Sequence, residues 1–301
     1  MKNIVLLIFT ALTFNGCHQK TELSYEPTYS KVAGSKQNKI LKLGIHPLYK
    51  PEKLFETFGP IVKILNEEIP EYQFELESST DYPSYEQKIL GRNFDLLLPN
   101  PYQTLSAIDQ GYKVFAKMSD DYLFRGIILV RKDSDIKNIK DLKGKVVAFP
   151  AQSALAATML PMYFLFKNGI SPHTDIITKY VGSQESAMYS VLYKKSDVGV
   201  TWTMAWNDLK AKNLEINNHL SILAETDSLP NNSIMARENM ESVLIEKILK
   251  VFLSLNNTSN GKSILEKMKL SKFEIASNAT YLPVRAFISE FNQKVGKVEQ
   301  K

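Results

Sequence analysis

Two turns in this chain have the composition of a ligand grip. Pro150-Ala151-Gln152-Ser153 follows an apolar run and precedes a long helical pattern, and Val181-Gly182-Ser183-Gln184-Glu185 repeats the arrangement one unit later. The first N–H groups of a helix have no intrahelical acceptor, and the helix dipole adds partial positive charge. Such a turn therefore suits an anion. Ser153, Thr158 and Gln184 offer further donors. Taken singly, each serine reads as an N-cap; two such turns in successive units point to a shared cleft. Aromatic residues Tyr49, Tyr82, Tyr85, Tyr102, Phe124 and Trp202 are the other candidates. With Glu185 they suit a ligand that carries a cationic or amine end, while core or rim packing accounts for each one equally well. Arg125 is the expected anion partner, because a guanidinium can clamp a carboxylate or phosphate with two parallel bonds; a plain surface charge is its alternative. Met159, Met162 and Met188 lie on apolar helix faces and read as core fillers.

Residue types that would carry catalysis or a metal are sparse. The four histidines, His18, His46, His173 and His219, are far apart, and Cys17 is the single cysteine. There is no His-x-x-x-His, no Gly-x-Ser-x-Gly elbow and no Gly-rich phosphate loop in the sequence. The expectation is a non-enzyme without metal or cofactor. The charge balance is 37 basic against 32 acidic residues, or +5. No basic stripe with interleaved aromatics occurs, so nucleic acid is not an expected partner.

Alternating short apolar runs and helical periods position these residues. Strands are expected at 40–45, 72–76, 94–98, 114–117, 126–130, 145–149, 176–181, 197–201 and 220–223. Helices are expected at 53–69, 85–90, 101–109, 153–167 and 183–193, and the last seventy residues read as mainly helical. This βαβ alternation implies an α/β fold with parallel-rich sheets covered on both faces. At 301 residues the chain suits two lobes better than one core. The expected lobes are 40–125 with 226–301, and 126–225, facing each other across a cleft of strand ends. The polar, aperiodic stretch 18–39 reads as a tether.

The first residues have a different character. Met1-Lys2-Asn3 gives a short positive start, and Ile4 to Phe14 is an apolar run too short to span a bilayer. It ends at Asn15-Gly16-Cys17, which resembles the bacterial lipobox. Residues 1–16 are then a lipoprotein signal peptide and 17–39 an acylated Cys17 with its tether. That resemblance implies a protein held outside the cytoplasmic membrane by lipid.

The ordered set of short motifs carries a second resemblance. Gly44-Ile45-His46-Pro47, Asp81-Tyr82, Asp95 with Asn100-Pro101-Tyr102, Arg131 to Ser134, Asp141 to Lys145, Gly169 to Pro172, Gly182 to Glu185 and Lys195 to Gly199 occur in sequence. Together they resemble the phosphate/phosphite/phosphonate-type solute-binding proteins of ABC importers. The resemblance implies a two-lobed type II periplasmic-binding-protein fold, a small-molecule ligand, an ABC permease as partner and a monomer as the working form. It places Tyr82, Asn100, Tyr102, Ser153, Thr158, Gln184 and Glu185 at or near the ligand, and Tyr49, Arg125 and Trp202 join them as candidates from their own residue types and positions. The family's hydroxyl-rich Ser-Thr-Ser-Gly turn is here Ser153-Ala154-Leu155-Ala156-Ala157-Thr158, and the His of its second turn is Gln184. The cargo therefore stays open between a phosphonate-like and another polar ligand. A sensor for a membrane signalling partner and an exported enzyme are the other readings.

Overall fold

A computed structural model describes residues 38–297. The signal peptide, Cys17 and nearly all of the tether lie outside the described residues. From Asn38 onward the chain forms one compact unit built on two sheets.

The first sheet begins with strand β1 (Lys39–Ile45), helix α1 (Pro51–Glu68) and strand β2 (Tyr72–Glu77). Helix α1 starts at Pro51 and buries Leu54, Phe58, Ile61, Val62 and Leu65 at helical spacing. Helix α2 (Tyr82–Leu90) starts one turn earlier than the apolar period implies, because Asp81 caps it by accepting from Ser84 N–H at 2.8 Å. Strand β3 (Leu96–Leu98) is buried on both faces. Just before it, Asp95 still bonds through its backbone to Lys42 O at 3.0 Å and to Arg237 N–H at 3.1 Å, and its carboxylate accepts from Lys42 N–H at 2.9 Å. Helix α3 (Pro101–Asp109) has a capping box in which Asn100 accepts from Gln103 N–H and Gln103 accepts from Asn100 N–H. Strand β4 (Tyr112–Met118) completes this part.

The chain then crosses to the second sheet. Strand β5 (Arg125–Arg131) is followed by strand β6 (Val146–Phe149). A continuous helix over 153–167 is expected after β6. The structure instead has a loop through Ala154, a π turn at Leu155–Met159 and only then helix α4 (Leu160–Lys167). Thr158 N–H and Met159 N–H both donate to Ala154 O, at 2.7 and 3.4 Å. Pro161 gives the physical reason: it lacks the N–H that would continue an α ladder back to Ala157. Strand β7 (Ile177–Tyr180), helix α5 (Gln184–Leu192), strand β8 (Val198–Trp202), helix α6 (Thr203–Lys212), helix α7 (Leu214–His219) and strand β9 (Leu220–Ser228) complete the sheet.

The chain returns through strand β10 (Ser233–Arg237), helix α8 (Ser242–Ser254), helix α9 (Ser259–Met268), strand β11 (Phe273–Ile275) and helix α10 (Leu282–Lys294). The first sheet has the order β11-β4-β10-β3-β1-β2, and the second β7-β6-β8-β5-β9. Each has a parallel core, β3-β1-β2 and β7-β6-β8, flanked by antiparallel strands where the chain crosses. The fold is the two-lobed type II periplasmic-binding-protein fold. Strands β10 and β11 interrupt a tail whose sequence reads as helix, because their short apolar runs carry no alternation to separate them from a buried helical segment. No described helix is long and apolar enough to cross a membrane.

Candidate functional site

Five N-terminal helix or turn ends converge on one cavity between the two sheets. Its lining takes Tyr82 from the first turn of α2, Asn100 from the cap of α3, Ala154 to Ala157 from the start of the π turn, Gln184 from the first turn of α5 and Trp202 from the cap of α6. His46, Leu48, Phe124 and Asn232 close it. The cavity volume is about 20 Å³. That is room for roughly one water.

Side-chain charge is absent from this lining. His46 is the one titratable base, and burial lowers its pKa to about 4 against the opposing pull of the Leu98 carbonyl. It is therefore neutral near pH 7. Its Nδ1 lies 3.0 Å from Leu98 O, an acceptor, so Nδ1 carries the proton and Nε2 is the bare acceptor. Burial raises the Tyr82 phenol to about 12 despite a bond from Gln184, so it is a neutral hydroxyl. The Gln184 carbonyl accepts from Thr201 Oγ1 at 3.0 Å, which turns its amide toward Tyr82. Trp202 meets Phe124 edge to face, with centroids 5.7 Å apart. Trp202 Nε1 and Asn232 Oδ1 are buried without a protein partner. A buried donor or acceptor left unpaired costs about 1–3 kcal/mol, so a polar ligand gains by accepting from Trp202 Nε1 or donating to Asn232 Oδ1.

Of the residues singled out in the sequence, Tyr82, Asn100, Gln184 and Trp202 line the cavity, as does Phe124. The others sit behind or beside it with protein partners. Ser153 is not an N-cap: its hydroxyl donates to Glu86, and its carbonyl accepts from Asn100 Nδ2 at 3.0 Å. The Thr158 hydroxyl donates to Ala151 O at 2.7 Å. Arg125 turns away to Tyr122 O at 2.7 Å and Glu225 at 3.2 Å. Glu185 meets Lys53 at 3.2 Å, and the Lys53 ammonium also stands 4.1 Å from the Tyr49 ring centre. Burial pushes the Tyr49 phenol well above its ordinary pKa, with the charges of Asp208 and Glu185 adding to it. The Tyr85 hydroxyl donates to Gly44 O at 3.1 Å within the core. Tyr102 is half-buried against the main core and does not line the cavity.

Sequence reasoning does not single out His46, Leu48 or Asn232 for the site. Asn232 lies in a Pro-Asn-Asn-Ser stretch that reads as an ordinary loop, and only the return crossing into β10 brings it to the cavity. Among the described residues, no group of three or more His, Cys, Asp or Glu side chains is placed to hold a metal ion.

The family described as "ABC transporter, phosphonate, periplasmic substrate-binding protein" matches residues 43–281. The chain belongs to that family. A relative, the phosphonates-binding periplasmic protein of Escherichia coli (strain K12), is 24% identical over 267 residues, covering 85% of this chain and 78% of its own length. Two solved structures agree in fold. The binding protein component of an ABC phosphonate transporter from Pseudomonas aeruginosa has a TM-score of 0.78 at 19% identity, with 85% of this chain and 88% of that one covered. PhnD1 from Prochlorococcus marinus, solved with methylphosphonate, has a TM-score of 0.78 at 19% identity, with 85% and 99% covered. The chain is thus a periplasmic substrate-binding protein by family, and its relatives are binders of ligands rather than enzymes.

Proposed function

We propose that this protein is a lipid-anchored substrate-binding protein that closes its two lobes on a small phosphonate-like or other polar ligand and presents it to an ABC permease. The observation that carries the reading is the convergence of helix N-termini on an uncharged cavity shared by both sheets. Each such end is equivalent to roughly half a positive charge. Several together hold an anion in a place where no cation is available. Trp202 Nε1 adds a donor, the Gln184–Tyr82 pair adds a hydroxyl, and the alanine and leucine side chains of the π turn receive an apolar substituent. The hydroxyl-poor turn keeps its backbone donors, which depend on no side chain. A small alkylphosphonate combines these features.

The space open at present holds about one water, so a ligand of that size enters only when the lobes part. Anchoring through Cys17 follows from the lipobox resemblance and keeps the protein beside its permease.

Titration of the protein with methylphosphonate, phosphate, methanesulfonate, ethylamine and a nucleoside tests the ligand class. Methylphosphonate should saturate one site, and at a hundred times its Kd should stabilise the fold by about 2.7 kcal/mol. Binding confined to ethylamine or the nucleoside would overturn the anion reading.

A further inference from the structure

We propose that Lys53 is a built-in clasp between the lobes, its ammonium standing on Glu185 and Asp208 where the cationic end of a ligand would otherwise bind. Lys53 lies in the first turn of α1, against the first sheet. Its Nζ reaches Asp208 Oδ2 on α6 at 2.6 Å and Glu185 Oε1 on α5 at 3.2 Å, both against the second sheet. The Tyr49 ring covers the same ammonium at 4.1 Å. Among the described ion pairs, those of Lys53 are the ones that join elements of the first sheet to elements of the second. Leu48 and Gln184, the neighbours of Tyr49 and Glu185 in the chain, line the cavity, so the clasp sits at its margin.

The local charges balance without help. Asp208 is almost fully buried, and its other oxygen is 2.7 Å from Lys212. Burial would raise its carboxyl, but the bonds from Lys212 and Lys53 outweigh that and hold it below the ordinary value. Two carboxylates thus face two ammoniums. A ligand amine added to this set would bring an uncompensated positive charge beside Lys53 and Lys212, at a cost that grows with burial. The arrangement of Tyr49, Glu185 and Asp208 has the chemistry of an ammonium cage, and the chain's own Lys53 fills it. Two consequences follow. The closed arrangement is favoured by contacts internal to the protein, and ligands with a free amine are disfavoured. The inference rests on the two lobes parting and closing as proposed above, and is tested separately from the ligand.

Spin labels at Glu56 and Ala211, both exposed and on opposite sides of the clasp, report lobe separation by pulsed dipolar spectroscopy, with no ligand added. The protein should give mainly the short distance. Lys53→Met should lower the closed-to-open ratio by roughly three- to tenfold, while Lys53→Arg keeps the charge and should stay near the parent. In Lys53→Ala, ethylammonium chloride should restore the short distance and tetraethylammonium chloride should not, since only the smaller cation fits between the carboxylates. A Lys53→Met distance distribution equal to the parent's would overturn the clasp. A Lys53→Ala protein that opens but is not closed by ethylammonium would overturn the cage. Melting curves of each variant establish that it is folded. As no ligand is present, either failure counts against this inference and leaves the anion reading to its own titration.

Discussion

Gly126 is a point where the cavity wall packs directly on the second sheet, and adding one methyl there tests the packing that positions the site. Gly126 is the second residue of β5, paired with Trp202 across the sheet. A Cβ built on it would stand 2.5 Å from Ala156 O and 2.4 Å from Pro161 Cγ. Both are short of the ordinary 3.4 Å contact by nearly 1 Å. Neither neighbour is the free end of a flexible side chain: one is the backbone of the π turn, the other a ring that begins α4. Gly126→Ala must therefore move the turn itself, together with Ala154 to Ala157 in the cavity lining. Overpacking of this kind costs about 1–3 kcal/mol, which for a domain of this size lowers Tm by roughly 2–10 °C. Gly59 is the matched control. It lies within α1, and beyond its chain neighbours and its own helix nothing stands inside 4 Å of an added Cβ. The gain of about 0.5–1 kcal/mol from helix propensity is opposed by the Pro60 ring, which crowds the Cβ of a helical residue before it, so Gly59→Ala should change stability by less than about 1 kcal/mol. Chemical denaturation of both variants, with calorimetric titration of whichever ligand binds the parent, measures the two effects. If Gly126→Ala is as stable as the parent and binds as tightly, the close approach of turn to strand does not set the site.

Three further outcomes follow from the same geometry. The His46 pKa is lowered from 6.5 to about 4 in the folded protein, so below pH 6.5 the unfolded chain binds a proton that the folded one refuses. Stability present above pH 6.5 should fall by up to about 3 kcal/mol as pH drops toward 4, and His46→Asn should show a shallower acid limb in denaturant melts than the parent. Trp202→Phe removes a buried N–H that has no protein partner together with part of a buried ring, so ligand affinity should fall about tenfold or more and Tm by a few degrees, with calorimetry and a melt as the pair of measurements; a drop in Tm with affinity intact would make Trp202 a packing residue only. Cys17→Ser should release the protein from the membrane fraction and abolish incorporation of labelled fatty acid; retention with the label would place the anchor elsewhere.

Much of the architecture was legible because its signals are local. The Lys39–Ile45 strand, the apolar face of α1 and the Ser183 cap of α5 each depend on residues a few positions apart. So does the order of short strands and helices that implies two layered sheets. The Ser183 cap likewise specifies where α5 begins, whereas the caps at Asp81 and Asn100 emerge only in the structure. Pairings between distant side chains were not legible. Arg125 has the chemistry to grip an anion, yet Glu225, a hundred residues away in sequence, stands beside it on the neighbouring strand and takes it. Glu185 has the chemistry to grip an amine, yet Lys53 reaches it across 132 positions. The helix after β6 reads as regular until its turn must pack on Gly126 and pass Pro161. Sequence by itself determined most of the backbone segments before β10, and the capped start of α5 among the ends with free N–H groups, because periodicity and capping act within a turn. Only the tertiary structure decided which charges remain available to a ligand, because an ion pair forms with whatever the fold brings within about 4 Å.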